Sequence, residues 1–228
     1  MKSQLIIDIM LLRHGRTDYT EKGLDLTALG EAHSREVAEK SILPWLERLQ
    51  VRREDLSIIT SPAARAKGTG TLISQVVGND LGIVVCDILK PMAWRDPIRA
   101  RTILGEMKKR GGYIDYETEA CFADAFIFET YSEVKERWYI FFAQYVTSIT
   151  HRTEMCRATV LVAHYELLCN ITRDLFGVVS SETSALQHTE PIYLSLYQTD
   201  DPNLILIEGK VRDMANSRLF DMTARQFA

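Results

Sequence analysis

The chain has 228 residues, 46% of them hydrophobic, with 27 basic against 31 acidic side chains and a formal charge of −4. That length and apolar content suit one well-filled domain with room for an inserted cap rather than a second full domain. The charges are spread along the chain without a basic stripe, which argues against a nucleic-acid partner.

The first apolar run, Leu5 to Leu12, is interrupted by Asp8, is too short to span a bilayer and lacks a small-residue cleavage site, so neither membrane insertion nor export is expected. It reads as a strand, as do the β-branched runs Leu56 to Thr60, Gly82 to Leu89 and Ala158 to Ala163, each followed by helical spacing. This alternation predicts a three-layer α/β/α sandwich with a mostly parallel central sheet. Thr27 is placed to cap a helix carrying Leu29, Ala32, Val37 and Ala38, with Pro44 breaking or kinking it near its end. Ser61-Pro62 looks like the cap and first turn of a helix running to Val77. From about Pro91 to Arg157 the pattern turns aromatic and helical, which predicts a helical insertion over the sheet within a single domain. The tail alternates Ile192, Leu194, Leu196 and then Leu204, Leu206 around Asp200-Asp201-Pro202-Asn203, an antiparallel hairpin at a sheet edge. Cys86, Cys121, Cys156 and Cys169 lie far apart with no CxxC pair, which reads as reduced thiols in the cytosol rather than a disulfide frame or a zinc site.

Three strand ends carry the chemistry. Leu11-Leu12-Arg13-His14-Gly15 puts an arginine and a histidine where ligands bind in open α/β sheets, just beyond the carboxyl ends of strands. Arg13 offers a fork of donors to phosphate oxygens, Gly15 lets the backbone N–H approach an anion, and a neutral, oriented His14 is a nucleophile toward phosphorus. Thr60-Ser61-Pro62-Ala63-Ala64-Arg65-Ala66 sets Arg65 in the first turn of the next helix, and Val160-Leu161-Val162-Ala163-His164 ends on a second histidine. Each piece alone is compatible with an ordinary capping or surface residue. Together they argue for a shared anion site.

With Leu26-Thr27-Ala28-Leu29-Gly30 between the first two, these segments resemble the histidine phosphatase superfamily, which includes cofactor-dependent phosphoglycerate mutases, in order and approximate spacing. The resemblance implies a phosphohistidine intermediate on His14, with Arg13, Arg65 and His164 around the transferring phosphoryl group, and no metal or other cofactor. It also implies a small phosphorylated substrate, with Gly15 and Thr17 as contacts to it. The family places a leaving-group acid after the third strand; there Asp96 is nearest, with Glu106 second and a helix-cap role open to Asp96 before Pro97. The chain departs from the pattern at Thr20, where many relatives have asparagine, and Glu166 is not adjacent to His164 as the acid phosphatase branch requires. His33, His151 and His188 read as structural or solvated. The leading expectation is a cytoplasmic phosphatase acting on a phosphomonoester. Its alternatives are a cofactor-dependent phosphoglycerate mutase and a non-catalytic phosphate-binding scaffold. Oligomeric state stays open, with a homodimer as one option.

Overall fold

The computed structural model describes residues 4–18, 25–110, 116, 119–150, 157–178, 181 and 184–227. Strand β1 (Leu5–Arg13) is fully buried from Ile7 to Leu12, as a strand covered on both faces must be. It pairs in parallel with β4 (Ala158–Ala163), which pairs in parallel with β2 (Leu56–Thr60), and β2 with β3 (Val84–Val85). β3 is much shorter than the apolar run Gly82 to Leu89 suggests. Gly82 takes a positive φ, a 3₁₀ turn begins at Asp87, and both valines are largely exposed at the sheet edge, so burial never extends the strand.

On the other side of β1 the expected hairpin is larger than its pattern indicated. β5 (Pro191–Gln198), β6 (Leu204–Val211), β7 (Met214–Asp221) and β8 (Gln226–Phe227) extend the sheet in antiparallel fashion, giving the order β3-β2-β4-β1-β5-β6-β7-β8. β7 is exposed from Met214 to Leu219, so no alternation marks it in the sequence. The register aligns Arg13 with Ala163 and Leu12 with Pro191. Because β5 runs backward, the loop leading into it lies at the same sheet edge as the carboxyl ends of β1 and β4.

Helices cover both faces, and the period-2 alternation of the strands sorts their side chains between two cores. Met10, Leu12, Val160 and Val162 face one core with Val37, Ile42, Trp45, Ile73 and Val77, whereas Ile9, Leu11, Leu161 and Ala163 face the other with Trp138, Phe142, Leu168 and Ile171. Side chains such as Trp138 and Phe142, with no exposed surface, each contribute roughly 1.5–3 kcal/mol by burial. The first core is covered by α1 (Ala28–Val37), α2 (Leu43–Leu49) and α3 (Ala64–Val77). Thr27 caps α1 by accepting from Gly30 N–H. A π turn, Ala38–Ile42, carries the chain into α2, where Leu43 N–H reaches back to Ala38 and Pro44 falls in the first turn, at which its missing N–H costs little.

The stretch from about 91 to 157 divides. Helix α4 (Pro97–Arg110) and the turns before α5 (Tyr131–Thr150) add Ala100, Met107, Phe122 and Phe128 to the second core, whereas α5 packs beside α6 (Tyr165–Phe176) and against β1 and forms a layer of the sandwich rather than an insertion over it. Among the described residues no helix is long and apolar enough to cross a membrane.

Candidate active site

The carboxyl end of β1 delivers Arg13 and His14, and the chain then turns tightly against the start of α1. A β-carbon on Gly15 would lie 2.7 Å from the Gly30 carbonyl oxygen, and one on Gly30 only 2.1 Å from that of Arg16. Both positions therefore need glycine, because backbone meets backbone there. The Gly15 N–H is not turned toward a ligand, as the sequence suggested. It donates to Thr69 Oγ1 at 2.8 Å, and that hydroxyl donates to the Arg65 carbonyl, which ties the turn to α3. Thr17 likewise serves the loop: it bridges to Leu26 and gives its hydroxyl proton to the Asp25 carbonyl.

His14 is buried, and its Nδ1 lies 2.8 Å from the carbonyl oxygen of Gly15. That contact requires the proton on Nδ1 and leaves the lone pair on Nε2. Arg65 Nε donates to this Nε2 at 3.0 Å, while the Nη2 of the same guanidinium lies 3.3 Å from Nδ1 of His164. One fork of donors thus bridges two imidazole lone pairs. His164 completes the chain by donating from Nε2 to Ser61 Oγ at 2.7 Å. This is a correction to the capping role expected of Ser61: α3 starts at Ala64 without a side-chain cap, while Ser61 Oγ accepts from Ala63 N–H at 3.2 Å just ahead of it and from His164, whose tautomer the Arg65 donor to Nδ1 sets.

Burial, followed by the Arg65 and Arg13 cations, holds His14 well below the ordinary histidine range. Burial, His14 and Arg65 do the same to His164, so the resting site holds two neutral imidazoles, not a protonated donor. Arg13 donates from Nη1 to the Leu186 carbonyl at 2.9 Å and lies over the Tyr165 ring, while its buried Nε has no hydrogen-bond partner among the described residues. Arg13, His14, Arg65 and His164 therefore share one locality, as three separate segments of sequence predicted.

The acid expected after the third strand is placed differently. Asp96 Oδ1 accepts from the N–H groups of Ile98 and Arg99, both at 3.1 Å, so its carboxylate is spent on capping α4. Glu106 is exposed on the same helix. Two other carboxylates hold the backbone here instead: Glu166, set aside from sequence because it does not adjoin His164, accepts from Met92 N–H at 2.8 Å, and Glu129, which the sequence did not single out, is locked to Arg137 and accepts from Ala93 N–H at 3.0 Å. His188 was read as structural or solvated, yet its ring centroid lies 5.6 Å from that of His14, against 5.0 Å for His164. The signal available was its place just before the hairpin, whose pairing with β1 brings that loop to the site. Thr20 and His151 lie outside the described residues.

Fold and site define an α/β sandwich with a cluster of arginine and histidine at the carboxyl edge of its parallel strands. The model of the histidine phosphatase superfamily (branch 1) matches residues 9–206, and the chain belongs to that family. Among solved structures it resembles "Mycobacterial hydrolase 1" at 20% identity and TM-score 0.63, over 92% of this chain and 99% of that one. The native mycobacterial glucosyl-3-phosphoglycerate phosphatase is similar at 21% identity and TM-score 0.62, over 90% and 97% of the two chains. A phosphoglycerate mutase from Bacillus anthracis str. Sterne matches at 13% identity and TM-score 0.61, over 98% and 96%. At such identities the likeness is one of fold. No curated protein matches the chain closely enough to count as a relative.

Proposed function

We propose that the protein hydrolyses a small phosphomonoester through a phosphohistidine on His14. The observation that carries this reading is the tautomer of His14: Nδ1–H is committed to the Gly15 carbonyl, so the nucleophilic lone pair on Nε2 faces the guanidinium of Arg65. In the resting site Arg65 occupies that lone pair. A phosphoryl group entering between them supplies better acceptors, so the guanidinium turns its donors onto phosphoryl oxygens and frees Nε2 for in-line attack. The unpartnered Nε of Arg13 supplies a further donor from the β1 side. Charge in the loose transition state gathers on the equatorial oxygens, where the two arginines stabilise it electrostatically. Water then attacks the phosphohistidine, and Nε2 departs as the neutral imidazole that burial favours.

Small phosphorylated metabolites of the phosphosugar and phosphoglycerate type fit the reading, in keeping with the mycobacterial glucosyl-3-phosphoglycerate phosphatase of like fold. The test is to incubate the protein with such a panel, quench in base and locate acid-labile phosphate by mass spectrometry. Label on His14, lost together with turnover in His14→Ala, is the expected result; hydrolysis surviving that substitution refutes it. Interconversion of 3- and 2-phosphoglycerate with bisphosphoglycerate present would transfer the reading to a mutase.

A further inference from the structure

Of the two imidazoles against His14 among the described residues, His164 is held by Arg65 and Ser61, whereas His188 has no such engagement and no task in the scheme above. It flanks the ring of His14 with centroids 5.6 Å apart in an edge-on arrangement, and His164 is the second imidazole against that ring. Its Nε2 is buried, yet it has no hydrogen-bond partner among the described residues, a state shared at this site by Arg13 Nε. Such buried polar atoms are ordinarily satisfied, and two in one locality mark where a ligand's oxygens would sit.

The loop holding His188 is anchored on both sides. Thr189, at φ +60°, donates its N–H to the Arg13 carbonyl at 2.9 Å, and Arg13 returns a bond to the Leu186 carbonyl. Glu190 accepts from Gln187 N–H at 2.7 Å and pairs with Arg212, which also donates to the Ala185 carbonyl at 2.9 Å. Strain and hydrogen bonds at these positions are what a preorganised side chain needs.

We propose that His188 moves the proton of the reaction, as acid toward the leaving oxygen and as base toward the attacking water. The inference rests on the phosphohistidine reading and deepens it. In the first step the N–P bond to His14 forms, the ester P–O bond breaks, and the proton of His188 passes to the departing alkoxide oxygen. In the second, His188, now neutral, takes a proton from water as its oxygen bonds phosphorus and the N–P bond breaks; inorganic phosphate leaves and the protonated imidazole is restored. The groups that face His188 are Arg13 on β1, Arg16 just beyond, His33 on α1 and His14 itself. Burial and the first three of these hold His188 down at about 4 in the free protein, so it is neutral near pH 7. A phosphate dianion among them offsets the charges of Arg13 and Arg16 that oppose a proton on His188, and the proton enters with the substrate, whose own second ionisation lies at about pH 6.

The experiment compares His188→Gln with the wild type on an alkyl phosphate, whose leaving alkoxide needs a proton, and on p-nitrophenyl phosphate, whose phenolate does not. Expected is a fall in kcat of about 10²–10³-fold on the alkyl ester against at most about tenfold on the aryl ester. Equal losses on both esters, or none on the alkyl ester, overturn the proposal. Should glutamine loosen the loop, as thermal unfolding would reveal, His188→Asn serves the same comparison. Calorimetry of the wild type binding phosphate at pH 7, in buffers of different ionisation enthalpy, should record proton uptake; none overturns the proposal as well. Absence of label on wild-type His14 would instead overturn the phosphohistidine reading, whatever His188 does.

Discussion

Replacing Arg65 by alanine removes one guanidinium that touches both lone pairs of the resting site, at 3.0 Å on His14 and 3.3 Å on His164. Two consequences separate. A unit charge about 4 Å from another at an effective dielectric of about 20 interacts by about 4 kcal/mol, so Arg65 strongly opposes a proton on either ring. Without it both histidines should titrate at higher pH than in the wild type, yet still below the ordinary histidine value, because burial is the larger cause in each and persists. The transition state loses a preorganised donor pair, which costs about 10²–10³-fold in kcat/KM, or about 2.7–4 kcal/mol. Arg65→Lys keeps the charge and loses the fork: it should leave the titrations near wild type while the rate still falls. Nitrogen NMR titration of the histidines, read beside steady-state kinetics for both variants, provides the assay. Titrations of His14 and His164 that do not move in Arg65→Ala would refute the bridge on which the site is built.

Asp96 accepts two backbone N–H groups, and asparagine caps as well as aspartate, so Asp96→Asn should preserve both stability and turnover, whereas Asp96→Ala should cost about 1 kcal/mol in urea unfolding. A large loss of turnover in Asp96→Asn would make it the acid after all. For pH, His14, His164 and His188 all titrate below the usual 6.5 when folded, His188 at about 4. Between those values the unfolded chain binds more protons than the folded one, so stability falls as pH drops through the window and the loss is complete below the folded values. For His188 alone this amounts to up to about 3 kcal/mol, reduced to roughly 1–2 kcal/mol by the partial exposure of its ring. Urea unfolding at pH 7 and pH 4.5 should show the drop in the wild type and a smaller one in His188→Gln; equal drops would contradict the assignment.

Much of the site was legible because its parts are local. Strands β2 and β4 follow their apolar runs residue for residue, Thr27 caps α1 as its position before a helical pattern implies, and Arg13, His14, Arg65 and His164 stand at strand ends or first turns where a sheet edge collects them. Hydrophobic periodicity and cap chemistry act over a few residues, so sequence alone determines them. The rest was decided by pairing across long separations. Arg65 meets His14 from 51 residues away and His164 from 99, and Arg13 meets the Leu186 carbonyl across 173. Those contacts spend the Gly15 N–H on Thr69, turn Ser61 toward His164, leave Asp96 to a helix end and carry His188 to His14 through the reversed direction of β5. Strand order and register have no local signature, and burial, which sets the protonation of the three imidazoles, exists only once the layers have closed.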